Sequence, residues 1–290
     1  MTEKQKVWMP AGAKVGLAVM LHILLVIYGK AGVGKSRGVY QLTHDAEWNQ
    51  TLFEKEDLYG PEDTYVWMAE DATSTYHHPQ PIIERVDTVD SLYKSVCGLI
   101  QAGKDGAKLP KIGVVDSLSG ILDYQMASYN AHPMLNQKGE RDKRAEFGNL
   151  GEEVTNLMLL LRDHCPIDVV VNVTTHEPGY NMPPELAIPG KVVPKNLTRL
   201  STSALYMKSE PGKVKPEEIA AMGDSVYQPH RTVGKDEFGK FDGNILNRIY
   251  LTQDAGEVFA KGHHNLALRE KAVLPDVLRK IKGITPKEKA

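Results

Sequence analysis

Four apolar runs divide the first two thirds of the chain. They lie at residues 23–28, at 64–71 ("TYVWMAED"), at 111–120 ("KIGVVDSLSG") and at 168–176 ("DVVVNVTTH"). Each run is rich in β-branched, aromatic or other apolar residues and gives way to polar or turn-forming positions, which favours a buried strand. The pattern therefore predicts four strands of a common sheet.

Helical periodicity fills the intervals between these strands. We predict a helix from Lys35 onward and another over 89–103 ("VDSLYKSVCGLIQAG"). A third helix carries an apolar face made of Leu150, Val154, Leu157, Met158 and Leu161. Strands that alternate with helices predict an α/β fold with a mostly parallel central sheet and crossover helices on both faces.

The pattern changes after Ser203. Shorter apolar runs now alternate with turns, as in "SALYMK", "SVYQPHRTV", "NRIYLTQ" and "EVFAKG". Short runs with close turns predict an antiparallel extension of the same sheet. The last residues, "TPKEKA", are polar enough to be a disordered tail.

Composition narrows the class of protein only slightly. A chain of 290 residues with a net charge of −2 can bury a large core and has no global basic field, so nucleic-acid binding would need local patches. Cys97 and Cys165 lack metal-ligand spacing, which suits a reducing cytoplasm. The apolar run 15–27 is interrupted by His22, and we interpret it as a strand with its lead-in, not as a signal peptide or membrane span.

A glycine-rich segment directly follows the first strand. It has the spacing Gly29-x-x-x-x-Gly34-Lys35-Ser36, which is typical of a P-loop between a strand and a helix. In such a loop the backbone N–H groups and the helix N-terminus hold phosphate, the lysine contacts the β and γ phosphates, and the serine hydroxyl binds Mg²⁺. The alternative is a glycine turn that joins strand and helix by chance.

These residues form the predicted nucleotide site. We expect ATP to contact Gly29, Lys30, Ala31, Gly32, Val33, Gly34, Lys35, Ser36 and Arg37. Lys30 also stands where a variant form of the P-loop carries an extra lysine, although Ala31 replaces the glycine that accompanies it there.

Acidic residues end two of the predicted strands. Ligands of a parallel sheet bind at the carboxyl ends of the strands, so these carboxylates are candidates for the chemistry. Asp116 follows the apolar run "IGVV" and could hold Mg²⁺ together with Ser36, or could cap the next helix with the help of Ser117. Glu70 could act as the general base that activates the attacking water, a role open also to the adjacent Asp71.

The order of these motifs resembles the RecA-type recombination ATPases. "VIYGKAGVGKS" is similar to their first strand and P-loop, "WMAED" to their strand that ends in the catalytic glutamate, and "RVDTVDSLYKSVCGLI…IGVVDSLSGI" to their run from a helix start to the Walker B strand. The resemblance covers about residues 22–210 and is strongest to the small phage-encoded members that act in recombination and single-strand annealing. It implies an ATPase core at 22–210, after a lead-in at 1–21 and before a strand extension at 211–262 and a basic helix and tail at 263–290.

The resemblance also implies roles for particular residues. Lys35 and Ser36 would contact phosphate and Mg²⁺, Glu70 would be the base, and Asp116 would hold the metal. At the end of the fourth strand the recombinase has a glutamine that senses the γ phosphate, whereas this chain has Thr175 and His176. His176 is therefore either a catalytic candidate or an ordinary strand-end histidine. The chain also departs from the family in its longer segment before Glu70 and in lacking an obvious polymerisation helix in 1–20.

Two segments correspond to the DNA-binding loops of the family. They are 128–149 and 177–196, and both are rich in turn residues, which predicts long loops. Their candidate DNA contacts are Lys138, Arg141, Lys143, Arg144, Lys191 and Lys195. The first set is interspersed with acids, so a solvated charge run is the alternative. The basic segment 261–290 is either a third DNA contact or a soluble end of the chain.

A polar segment at 230–243 follows the core. RecA-type sites lie between subunits, where a cation from the neighbour stabilises the γ phosphate, and Arg231, Lys235 and Lys240 are candidates for that cation. An ordinary polar hairpin is the alternative. The histidine pairs 77–78 and 263–264 lack companion ligands, so we expect no zinc site.

Together these patterns predict a Mg²⁺-dependent ATPase that assembles as a ring or filament on single-stranded DNA in recombination or annealing. A single-strand-binding or annealing protein is a further candidate partner. We expect a cytoplasmic location, which is the host cytoplasm if the protein is phage-encoded, and no membrane contact. Two alternatives stay open. One is a nucleotide-gated DNA-binding or packaging scaffold with little hydrolysis, and the other is a small-molecule P-loop kinase.

Overall fold

The computed structural model describes residues 22–49, 52–69, 80–176, 185–188, 192–213, 231–235, 241–253, 260–262 and 265–287. The predicted lead-in at 1–21 and the last three residues of the tail "TPKEKA", 288–290, lie outside these ranges. Within the described part of the chain, no helix is both long and apolar enough to cross a membrane.

Strands and helices alternate through the first 200 residues. The strands are β1 (Leu24–Lys30), β2 (Thr64–Met68), β3 (Ile82–Arg85), β4 (Ile112–Asp116), β5 (Asp168–His176), β6 (Glu185–Leu186), β7 (Ser203–Lys213), β8 (Arg231–Lys235), β9 (Phe241–Leu251) and β10 (Arg269–Lys271). The helices are α1 (Arg37–Asn49), α2 (Val89–Lys104), α3 (Leu118–Ala131), α4 (Lys143–Asp163), α5 (Val192–Leu200) and α6 (Leu274–Lys282). Short 3₁₀ turns occupy Lys55–Asp57 and Pro61–Asp63.

All described strands belong to one sheet. Its order is β10-β9-β7-β1-β5-β4-β2-β3, with β6 paired to β5 and β8 paired to β9. The pairs from β7 to β3 are parallel, whereas β9 pairs antiparallel with β7, β8 and β10. The predicted fold class is confirmed: a mostly parallel α/β sheet with an antiparallel C-terminal extension. The predicted boundary between residues 210 and 211 falls inside β7, which serves both parts.

Helices cover both faces of this sheet. Helices α2 to α5 pack on one face around Leu92, Leu150 and Leu197. Helices α1 and α6 pack on the other face around Leu42 and Leu278. The predicted apolar face of α4 is buried throughout. Thr88 caps α2 through a capping box with Ser91, which explains why that helix begins where the Asp-Thr pair predicts it.

Two predictions about local structure were wrong. The strand predicted over 111–120 ends at Asp116, because the Ser117 hydroxyl accepts the N–H of Gly120 at 3.3 Å and starts α3. In α3, Leu118, Ile121 and Leu122 pack in the core with the i, i+3, i+4 spacing of a helix. Half of the loop predicted over 128–149 is helical, since α3 runs to Ala131 and α4 begins at Lys143.

The C-terminal helix fastens α1, the helix that follows the P-loop. The buried side chain of Gln41 donates to the carbonyl of Ala272 at 2.8 Å and accepts the N–H of Leu274 at 2.7 Å. One turn further on, Asp45 forms an ion pair with Arg279. The α6 segment therefore fixes the position of α1 on the sheet.

The ion pair between α1 and α6 is fully enclosed. Arg279 is 1% exposed and Asp45 is 0% exposed. The guanidinium also lies 3.9 Å from the ring centroid of Phe53, and Asp45 accepts the backbone N–H of Tyr59 at 3.3 Å. Interior charges are tolerated only when they are paired in this way.

Loss of one partner should therefore destabilise the protein strongly. We expect Arg279→Leu to lower the free energy of unfolding by about 3–5 kcal/mol, because the buried Asp45 loses the guanidinium that faces it. Urea unfolding measures this. Arg269, which is 53% exposed beside Glu210, is a matched control, and Arg269→Leu should cost less than about 1 kcal/mol. Equal losses in the two variants would contradict this interpretation of the ion pair.

Candidate functional site

The glycine-rich segment forms a tight loop between β1 and α1. Gly32 and Gly34 have φ values of 73° and 103°, which only glycine adopts without strain. A Cβ on Gly29 would lie 2.4 Å from the carbonyl oxygen of Met207 on β7. The spacing of the glycines thus meets two physical requirements: two left-handed backbone turns and one close approach to the neighbouring strand.

The loop leads directly into α1. The N–H groups of Arg37, Gly38 and Val39 donate to the carbonyls of Gly34, Lys35 and Ser36, which marks the first helical turn. The N–H groups that precede a first helical turn have no partner within the helix. Together with the positive end of the helix dipole they form an anion-binding concavity.

The Lys35 side chain folds back into this loop. Its ammonium donates to the carbonyl of Gly29 at 2.8 Å and to that of Lys30 at 2.9 Å. Burial lowers the pKa of Lys35 to about 8, while the negative charge of Asp116 acts in the opposite direction. The loop therefore holds a buried cation whose charge is only partly compensated.

The carboxyl end of β4 lies near Lys35 and beside the middle of β5. Asp116 is 6% exposed and accepts a hydrogen bond from Nδ2 of Asn172 at 3.1 Å. Strand alternation places both side chains on the face of the sheet that carries α1. The Oδ1 atom of Asn172 is buried and has no hydrogen-bond partner among the described residues. The site thus contains a buried carboxylate and an amide oxygen that can accept further hydrogen bonds.

This donor set fits Mg²⁺ and a phosphate group. Mg²⁺ keeps several waters and needs only one or two protein oxygens, which the Ser36 hydroxyl and the Asp116 carboxylate can supply. Within the described ranges no group of three or more His, Cys, Asp or Glu could hold a metal by itself. The arrangement suits a metal that binds together with a phosphate ligand better than a metal caged by protein alone.

A cavity adjoins the P-loop on the side of β7. It has a volume of about 470 Å³ and is lined by residues 30–33 of the loop and 206–209 of the strand. Ligand pockets commonly enclose about 300–1,000 Å³. The space beside the anion-binding loop is therefore large enough for a small organic ligand.

The end of β5 separates the candidates Thr175 and His176. Thr175 is buried on the face opposite α1, and its hydroxyl has no partner among the described residues. His176 is more than half exposed, and strand alternation places it on the face that carries α1. Its Nε2 lies 3.8 Å from Oε2 of Glu185 on β6. Thr174 lies one alternation before His176 on that face, and its backbone N–H donates to Ser119 at 2.9 Å.

Several predicted residues lie outside the described ranges. They are Glu70, Asp71, His77, His78, Lys191, Lys240, His263 and His264. The described backbone reaches Ala69, the residue before Glu70. β2 pairs with β4, and the N–H of Ala69 donates to the carbonyl of Asp116 at 3.3 Å. Glu70 therefore directly follows a residue bonded to the end of the Asp116 strand.

The basic residues predicted to contact DNA do not form one exposed loop. Lys138 lies in the turn between α3 and α4, while Lys143 and Arg144 are exposed in the first turn of α4. Arg141 instead forms a bidentate ion pair with the buried carboxylate of Glu146, and its Nη2 lies 2.8 Å from Oε2. This contact lowers the pKa of Glu146. Arg141 thus holds the turn against α4. Lys195 lies in α5.

The basic C-terminal segment is largely occupied by internal ion pairs. They join Arg269 to Glu210, Arg279 to Asp45, Lys280 to Glu270, Lys282 to Asp168 and Lys287 to Glu54. These pairs connect the segment to distant parts of the sheet and to α1. Neither alternative from the sequence, a DNA contact or a merely soluble end, anticipates this structural role.

The segment expected to reach a neighbouring subunit forms β8, which pairs with β9. Arg231 donates to Oδ1 of Asn247 at 3.0 Å on the face opposite α1. Lys235 ends β8, where the pairing with β9 is irregular. Thr232 lies on the α1 face, and its hydroxyl accepts from Nη1 of Arg37 at 3.3 Å. Part of this hairpin therefore contacts the P-loop helix of its own chain.

Sequence reasoning missed two residues that contact or complete this site. Asn172 is a polar residue in the middle of the apolar β5 run, which was a usable signal for a buried hydrogen bond. Arg248 of β9 donates to the carbonyl of Val33 in the P-loop at 2.9 Å. Arg248 and Val33 are separated by 215 positions, and no local motif predicts such a contact.

The lowered pKa of Lys35 would make the binding of an anionic ligand such as a nucleotide depend on pH. Phosphate would raise that pKa by supplying opposite charge, so above pH 8 the free protein must take up a proton in order to bind. We expect ADP affinity to fall between pH 8 and 9.5 by up to about tenfold per unit. Isothermal calorimetry measures both the affinity and the proton uptake. Lys35→Arg, which stays charged, should bind without this dependence, whereas a flat wild-type profile would contradict the assignment.

Comparison with known proteins yields similarity in structure only. No family model matches the chain, and no curated protein matches it. Among solved structures, an ATPase from the type III secretion system of pathogenic bacteria is 11% identical to it, with a TM-score of 0.37. The match covers 69% of this chain and 52% of that ATPase, so the chain spans about half of the other protein's length.

Proposed function

We propose that the protein is a P-loop ATPase that hydrolyses ATP with Mg²⁺. The observation that carries this proposal is the enclosure of Lys35 in a glycine-rich loop beside the buried Asp116. A glycine turn formed by chance would have no reason to bury an ammonium group against its own carbonyls. Desolvation of a cation is costly, and an anionic ligand offsets that cost.

Binding of ATP would begin with the exchange of partners at Lys35. Its ammonium would leave the carbonyls of Gly29 and Lys30 for the β and γ phosphates, and contacts between opposite charges would replace contacts with neutral acceptors. Backbone N–H groups of the loop and of the first turn of α1 hold the remaining phosphate oxygens. Ser36 and Asp116 would hold Mg²⁺, and the metal would supply positive charge against the phosphates.

Glu70 is our candidate for the group that activates water. The support is the position in the chain: Glu70 follows Ala69, whose N–H is bonded to the Asp116 carbonyl. A carboxylate at the carboxyl edge of the sheet can accept the proton of a water aligned with the γ phosphate. His176, exposed at the end of β5, is a second candidate for contact with that phosphate.

Substitutions separate these roles. Lys35→Ala should abolish detectable nucleotide binding and turnover. Glu70→Gln should still bind ATP but lose hydrolysis by about a hundredfold or more, since shape is kept and basicity is lost. Asp116→Asn should instead raise the Mg²⁺ concentration needed for half-maximal rate. Steady-state phosphate release and fluorescent-nucleotide binding measure these effects.

Two outcomes would change the assignment. If Glu70→Gln hydrolysed ATP at the wild-type rate, Asp71 would become the next candidate for the base. If the wild type bound ATP without hydrolysing it, with DNA or without, the scaffold alternative would replace the ATPase.

We further propose that the ATPase assembles as a homo-oligomer on single-stranded DNA. The support is the sequence resemblance to RecA-type ATPases, together with the exposed cations Lys138, Lys143 and Arg144 near the α3–α4 turn. Arg231, Lys235 and Lys240 are the candidates for a cation that completes a neighbour's site. Electron microscopy with an ATP analogue, with and without single-stranded DNA, tests assembly and DNA dependence together.

Salt dependence tests the DNA contact. We expect the combined change of Lys138, Lys143 and Arg144 to Ala to flatten the dependence of log affinity on log salt by up to about 2, at roughly 0.7 per phosphate contact. ATP binding by the subunit should persist, and DNA-stimulated hydrolysis should fall. Arg141 is kept because its loss would remove the ion pair of the buried Glu146 carboxylate. An unchanged salt slope would exclude this surface, and absence of wild-type DNA binding would reject the DNA proposal.

A further inference from the structure

A buried arginine from the antiparallel extension lies against the P-loop. Arg248 lies in β9 on the face of the sheet that carries α1. Its Nε donates to the carbonyl of Val33 at 2.9 Å, and its Nη1 donates to the hydroxyl of Thr232 on β8 at 2.7 Å. One planar guanidinium thus bridges the P-loop and the neighbouring strand.

The guanidinium also fills the space beside Gly34. A Cβ at Gly34 would lie 2.7 Å from Nε of Arg248 and 3.1 Å from its Cδ. The arginine therefore packs on the backbone of the turn directly before Lys35. Glycine at this position satisfies both the positive φ and this close contact.

The contact with Val33 has a consequence for the next residue. The Val33 carbonyl and the Gly34 N–H belong to one planar trans peptide, in which C=O and N–H point in opposite directions. When Arg248 holds the carbonyl on its own side, the Gly34 N–H must point away from Arg248. The hydrogen bond therefore fixes the direction of one backbone donor in the loop.

Thr232 extends this arrangement to the start of α1. Its hydroxyl accepts from Arg248 and also from Nη1 of Arg37, at 3.3 Å. Arg248 is bonded to Val33, directly before the sequence Gly34-Lys35-Ser36, and Arg37 directly follows that sequence. Thr232 thus connects Arg248, which holds Val33 of the loop, to Arg37 at the start of α1.

We propose that Arg248 is a positioning residue for the phosphate site. It orients the Gly34 N–H toward the anion and, through Thr232, connects the shape of the P-loop to the β8–β9 hairpin. The inference rests on the proposed function only in taking the anion to be a nucleotide phosphate. Arg248 acts through the peptide of the loop and need not contact the nucleotide.

Hydrogen exchange in the nucleotide-free protein tests the positioning directly. We expect Arg248→Met to accelerate exchange of the amides in a peptide covering residues 29–38 by about tenfold or more, because a hydrogen bond from a charged group is lost. ADP affinity should fall about tenfold in the same variant. Thr232→Val removes the hydroxyl that accepts from Arg248 but keeps the charge of Arg248. It should change the exchange rate and the ADP affinity in the same directions, and by less.

Three controls separate positioning from general effects. Arg248→Lys keeps the charge but cannot reach two acceptors as the planar fork does, so it should restore little of the affinity. Arg269→Met removes an exposed arginine of the neighbouring strand β10 and should leave exchange and affinity unchanged. Leu150→Ala destabilises α4 on the opposite face of the sheet and should lower the urea midpoint without accelerating exchange in 29–38.

The outcomes are distinguishable. If Arg248→Met showed unchanged exchange and reduced ADP affinity, the proposal would be overturned in favour of direct contact with the ligand. If it showed faster exchange and unchanged affinity, Arg248 would only stabilise the loop, which also overturns the proposal. Full rescue by Arg248→Lys would show that charge alone matters, which also overturns it. If the wild type binds ADP but never hydrolyses ATP, the ATPase proposal fails, while the exchange and affinity results still decide the role of Arg248.

Discussion

The ammonium group of Lys35 lies inside the protein, and an interior cation must be surrounded by acceptors. In this chain the acceptors are the carbonyls of Gly29 and Lys30, which the loop can present only by turning back on itself. The positive φ angles of Gly32 and Gly34 make that turn possible. The shape of the loop, the depressed pKa of Lys35 and its attraction for an anion all follow from this single buried charge.

The remainder of the sheet supplies the surroundings that this charge requires. β1 lies between β5 and β7, so the loop is bordered by two strands that fix its start. Parallel pairing in register brings the end of β4 to the same edge, and Asp116 provides the negative charge there. The two faces then divide the tasks: α1 and α6 cover the side with the loop, while α2 to α5 stabilise the other side.

Local patterns in the sequence predicted the elements whose signals are local. Strand β5 has the predicted bounds, the apolar face of α4 is buried, and the P-loop glycines take the conformations that their spacing requires. Helix α3 was missed because its first residues continue an apolar strand, and only the Ser117 cap marks the change. Arg141 and Arg279 looked like solvated or DNA-binding charges because their partners, Glu146 and Asp45, are chosen by the fold. Arg248 carries no local signal, since its partner Val33 lies 215 positions away.

The Gln41 contacts can form only late in the synthesis of the chain. Gln41 meets Ala272 and Leu274 across 231 and 233 positions, so α1 leaves the ribosome long before its partner segment exists. During that interval the apolar face of α1 has no α6 to cover it, and the nascent chain exposes a surface that favours association or chaperone binding. The phosphate loop, although it is synthesised early, acquires its final support only when residues near 274 have emerged and docked.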